Sequence, residues 1–127
     1  MGAWIGPVSL LAARRGARVT ALEPDPVARR ALERNLALNG LRAQVIPAAL
    51  HDAAEGLTLR GGSRGLGAST TSAPGASRRD PIHVDAITPE DLAVRAGPGP
   101  AAVKVDMEGH EFAVGPALAR LRGLLGG

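Results

Sequence analysis

Between Lys104 and Glu111 the chain sets Asp106, Glu108 and Glu111 beside His110, three carboxylates and an imidazole within six residues. Such a group can take up a proton near neutrality, since an unperturbed imidazole titrates at about 6.5. His110 is the foremost candidate base and Asp106 the next. Each residue alone has a plain structural use, Glu111 at the start of a helix and Glu108 on a solvated surface. A divalent metal would ordinarily draw on a second spaced His, which this stretch lacks, so no metal is expected.

A second group lies at the amino end, where Gly2 and Gly6 stand four residues apart before an apolar, helix-like run. Glu23 follows 17 residues after Gly6. Glycines in a turn leading to a helix let a ligand approach the backbone, and an acid ending the next strand can accept hydrogen bonds from both ribose hydroxyls. Read alone, the two glycines are ordinary turn residues; Glu23 gives their spacing meaning. A dinucleotide fingerprint needs a third Gly three positions after the second, where Ser9 stands, so a nicotinamide dinucleotide is disfavoured. An adenosyl sulfonium, with a ribose but no phosphate, stays open. Trp4 serves equally as a cover for such a ligand or as core filling.

The elements that must position these groups follow from pattern. Val8 to Arg15 reads as a helix ended by Gly16, and Arg18 to Leu22 as a strand stopped by Glu23-Pro24-Asp25-Pro26. Asp25 is a cap and Pro26 a first-turn residue for a helix running to Asn39-Gly40. Ala43 to Leu50 reads as a strand followed by polar His51-Asp52, and Leu57 to Leu59 as a short one. Arg60 to Asp80 has no apolar period and is expected to be a flexible loop. Ile82 to Ile87 alternates like a half-buried strand with His83 on its solvent side, and Thr88-Pro89 opens a helix through Arg95. Ala101 to Val105 reads as a buried strand leading to Asp106, and Glu111 to Leu125 as a final helix. The alternation of strand and helix points to an α/β class.

Composition narrows the function. With 127 residues, 45% hydrophobic and 21% charged, the chain is sized for one domain. It has no Cys, which excludes disulfides, a thiolate nucleophile and cysteine zinc sites. No apolar run nears the ~20 residues of a membrane span. The amino end has no basic-then-apolar leader, its first charged side chain being Arg14, so a cytoplasmic location is expected. Net charge is +3 and the Arg pairs are scattered without aromatics, which disfavours nucleic acid as a partner.

Four stretches in order, Gly2-Ala3-Trp4-Ile5-Gly6, Leu22-Glu23-Pro24-Asp25-Pro26, Asn35 to Gly40 and Val103 to Glu111, resemble the FkbM-type family of S-adenosylmethionine-dependent methyltransferases. The resemblance covers nearly the whole chain outside Arg60 to Asp80. It implies a Rossmann-like class I methyltransferase sheet with flanking helices. The implied activity is O-methylation of a hydroxyl on a small-molecule, glycan or lipid-linked acceptor, with S-adenosyl-L-methionine as cofactor. Carried over residue by residue, Gly2 and Gly6 line the methionine end of the cofactor and Glu23 holds the ribose. Ala3 and Asp52 complete the expected contacts to the cofactor. Asp106 sits at the edge of methyl transfer, with Glu108, His110 and Glu111 around it. The family's glycine turn follows a central first strand, while here Met1 directly precedes Gly2. The expectation is therefore a single partial methyltransferase domain over 1–127, lacking its first strand and C-terminal strands. The alternative is a non-catalytic remnant or interaction module of the same fold.

Overall fold

The computed structural model describes residues 1–52, 56–59, 82–107 and 113–126. Its elements in chain order are α1 (Pro7–Arg14), β1 (Thr20–Leu22), α2 (Pro26–Leu38), β2 (Gln44–Ile46), β3 (Ala48–Leu50), β4 (Leu57–Leu59), β5 (Ile82–Ile87), α3 (Pro89–Ala96) and α4 (Gly115–Leu125). Each of these helices carries a proline in its first two positions, where the missing N–H costs no intrahelical bond. Asp25 Oδ1 accepts from the N–H groups of Val27 at 2.7 Å and Ala28 at 3.3 Å, which starts α2 as the sequence implies. Thr88 does the same for α3 through the Asp91 N–H, at 3.2 Å.

The described strands form two sheets. In one, β1 runs parallel to β2, with Thr20 opposite Gln44 and Leu22 opposite Ile46. In the other, β5 is flanked by β3, parallel, and β4, antiparallel. The class is mixed α/β, as the alternation implied. The expected single strand from Ala43 to Leu50 is corrected to two, because Pro47 has no N–H to continue a ladder and hands β2 to β1 but β3 to β5.

Two further expectations are corrected. Ala101 to Val105 is not a strand; residues 101–104 are exposed and no ladder partner reaches them among the described residues. The final helix begins at Gly115 rather than Glu111, since Pro116 fixes the first turn. The Arg60 to Asp80 segment lies outside the described residues.

The core explains why β1 is the organising strand. Its Ala21 packs with Leu32 and Leu36 of α2, while the next residue, Leu22, joins Leu92, Ala117 and Leu121 of α3 and α4. Adjacent residues of a strand face opposite sides, so helices cover both faces of β1. Among the described residues, no helix is long and apolar enough to cross a membrane.

Candidate functional site

Residues 1–6 form a turn at the carboxyl end of β1. Gly2, Trp4 and Gly6 all have positive φ, at 66°, 49° and 96°. Non-glycine residues seldom adopt that region, so Trp4 must be held there, and the surrounding bonds show how. Ala3 N–H donates to Leu22 O at 3.1 Å, Gly6 N–H to Ala3 O at 2.9 Å, and the Asn35 side-chain amide to Ile5 O at 2.9 Å. Trp4 N–H donates to Glu23 Oε2 at 2.6 Å.

The glycines serve two different close approaches. A Cβ on Gly2 would strike the Asp106 carbonyl oxygen, which brings the segment after residue 103 against the turn. A Cβ on Gly6 would strike Leu32 and lie 2.7 Å from Leu10 Cδ1, so Gly6 lets α1 and α2 close together.

Among the described residues, Glu23, 6% exposed, is one of two buried acids. Besides the bond from Trp4, its Oε1 accepts from the Asp25 N–H at 3.0 Å. Burial raises its pKa above the ordinary 4.5, opposed by the backbone bonds from Asp25 and Trp4. A carboxyl with a raised pKa in the fold holds its proton more firmly folded than unfolded. Its contribution to stability therefore declines as pH climbs from about 4.5 through the raised value.

A cavity of about 720 Å³ opens here, and Gly2, Ala3, Trp4, Glu23 and Asp106 all line it. The structure thus brings four of the expected site residues, Gly2, Ala3, Glu23 and Asp106, to one place. Gly6 is buried beneath the turn and does not reach the cavity. Asp52 lies elsewhere, on Arg120 Nη1 at 3.0 Å, in an exposed cluster where Arg120 also binds Glu90 at 2.6 Å. That guanidinium's hydrogen bond holds the Glu90 carboxyl below its ordinary range. Glu108, His110 and Glu111 lie outside the described residues.

Two contacts were not foreseen. Lys104 Nζ pairs with Asp106 Oδ2 at 2.7 Å, exposed to solvent, which sets a cation beside the expected transfer edge. Their i, i+2 spacing in a run that reads as a strand, a pattern that puts both side chains on one side, was the available signal. The second is the Asn35 amide on Ile5 O, which ties α2 to the turn across 30 residues and has no local signature. Among the described residues, no three His, Asp or Glu side chains gather in a way that would hold a metal ion.

No curated protein and no solved structure matches the chain. A family model does, the methyltransferase FkbM domain, over residues 2–114. That span includes the glycine turn, Glu23 and the Asp106 segment, the parts that the fold gathers around one cavity, and the chain belongs to the FkbM methyltransferase domain family.

Proposed function

We propose that the chain is an S-adenosylmethionine-dependent methyltransferase of Rossmann-like architecture that methylates a hydroxyl oxygen on a small-molecule, glycan or lipid-linked acceptor. The observation that carries this reading is the buried Glu23 carboxylate at the tip of β1, beside a positive-φ glycine turn and open to a cavity. Each Glu23 oxygen accepts one backbone N–H, and a carboxylate oxygen has a second lone pair for a ribose hydroxyl. The residues present therefore fit an adenosyl group. Bound there, S-adenosylmethionine supplies a methyl carbon made electrophilic by its sulfonium.

Glu23 orients the ribose, and the Gly2 to Trp4 backbone borders the methionine end. Such in-line displacement depends mainly on alignment. His110 would hold the proton that leaves the acceptor hydroxyl, with Asp106 at the cavity and Glu108 and Glu111 as the other carboxylates of the same stretch.

The test is calorimetric titration with S-adenosylhomocysteine. Glu23→Ala removes charge-assisted bonds of about 1.5–3 kcal/mol, so affinity is expected to fall by roughly 10- to 100-fold. In the unaltered chain, affinity is expected to strengthen as pH rises through the raised Glu23 pKa, as the carboxylate forms. An affinity untouched by Glu23→Ala, with helix content preserved by circular dichroism, overturns the assignment. A non-catalytic module of the same fold is the second reading, favoured by the exposed, unladdered residues 101–104 beside the site. Cofactor binding without methyl transfer to any hydroxyl in an acceptor panel would select it.

A further inference from the structure

We propose that Asn35 is a positioning residue for the site: resting on Glu23 as the ribose contact, it fixes, through Ile5 and Trp4, the direction in which that carboxylate meets its ligand. Asn35 lies in the third turn of α2, partly buried, and its Nδ2 donates to Ile5 O at 2.9 Å. A carbonyl oxygen only accepts, so the amide nitrogen is the part of Asn35 that this bond needs. An ionised aspartate or a leucine of similar size cannot supply it. Trp4 and Glu23 line the cavity, whereas Asn35 and Ile5 do not, so any effect of Asn35 on a ligand passes through other residues.

Trp4 transmits the tie. Its φ of 49° is one that a side chain strains to adopt, and a turn without outside support would relax from it. Gly6 N–H closes the turn on Ala3 O at 2.9 Å, and Asn35 holds the Ile5 carbonyl between them. Held this way, the peptide joining Ala3 to Trp4 keeps its N–H on Glu23 Oε2 at 2.6 Å. Leu32, about one helical turn before Asn35, supports the same loop from below, where a Cβ on Gly6 would strike it.

α2 therefore governs both oxygens of Glu23. At its start, the Asp25 N–H donates to Oε1 at 3.0 Å. Ten residues further, about 15 Å along the helix, Asn35 controls the donor on Oε2. With both N–H groups referred to one rigid element, the carboxylate has one plane, and the second lone pair of each oxygen has one direction. A fixed direction is what alignment of a ribose for in-line transfer demands. Asn39 offers a contrast at the end of the same helix: its exposed Nδ2 donates to Asn35 O at 2.9 Å, a bond that does not reach the turn.

The test uses Asn35→Ala, which removes the side chain, and Asn35→Asp, which keeps its size and takes away the donor, with Asn39→Ala as the control. Amide hydrogen exchange, read without any ligand, is expected to quicken at Trp4 by roughly 3- to 10-fold in both Asn35 variants. The amides of Ala21 and Leu32 should keep their rates, and Asn39→Ala should leave Trp4 unaltered. In calorimetry with S-adenosylhomocysteine, Asn35→Ala is expected to weaken binding by about 3- to 10-fold, but to add nothing when made together with Glu23→Ala. The proposal is overturned if the Trp4 amide keeps its rate in both Asn35 variants, or if Ala21 and Leu32 quicken by the same factor as Trp4. It is overturned as well if Asn35→Ala weakens binding equally with and without Glu23, since Asn35 would then act only on the fold. A chain that binds no S-adenosylhomocysteine overturns the ribose assignment and with it the role given to Asn35, whereas an unchanged Trp4 amide in a chain that does bind overturns the role of Asn35 alone.

Discussion

Two helices of similar start fare differently. α1 and α2 both begin on proline, both carry apolar residues at helical spacing and both pack towards the same side of β1. Yet α2 buries Ala28, Leu32 and Leu36 and is capped by the Asp25 side chain, whereas α1 buries nothing and has no side-chain cap at Gly6. The difference is in what lies opposite. α2 lies against a paired β1, while α1 borders the open cavity through Pro7, Val8, Ser9 and Ala12. Apolar periodicity prescribes a helix, but its contribution to stability depends on the surface it meets.

The contrast can be broken at its strongest point by paired truncations. Leu32→Ala, at a side chain of 0% exposure, is expected to cost about 2–5 kcal/mol in urea unfolding. Leu11→Ala in α1, at 52% exposure, should stay within about 0.5 kcal/mol. Equal losses would show that α1 has a buried partner in solution. Gly6→Ala tests the contact between the helices. At φ 96° a side chain is strained and its Cβ meets Leu10 and Leu32, so a loss of about 1–3 kcal/mol is expected. The smallest effect belongs to the cap: Asp25→Ala should cost about 1 kcal/mol by thermal melting, with the loss confined to α2 in site-resolved exchange. An unchanged melting temperature there would mean that packing alone holds the α2 start.

Much of this was legible in the sequence because it is local. Asp25-Pro26 and Thr88-Pro89 marked two helix starts, Asn39-Gly40 an end, and the alternation from Ile82 to Ile87 a strand, each from residues in contact with one another. Glu23 was singled out as the acid at the end of its strand, and it directly follows Leu22, the last residue of β1. What was not legible depends on distant partners. Val103 is as β-favouring as Val45, but among the described residues only Val45 has a neighbouring strand to bond. Pro47 carried a local signal, a missing donor inside a strand-like run, that apolar continuity concealed. Asp52 shows the converse limit, since its partner Arg120 is 68 residues away and no spacing rule connects them.

Trp4 has an experimental consequence. The chain has one tryptophan and no tyrosine, so its intrinsic fluorescence reports on a single place, the partly exposed turn at the cavity mouth. Emission will therefore follow opening of that turn and the approach of a ligand, whereas far-ultraviolet dichroism follows the helices. If the two signals change at different denaturant concentrations, the turn comes apart separately from the packed layers, and one optical titration distinguishes local loosening from global collapse.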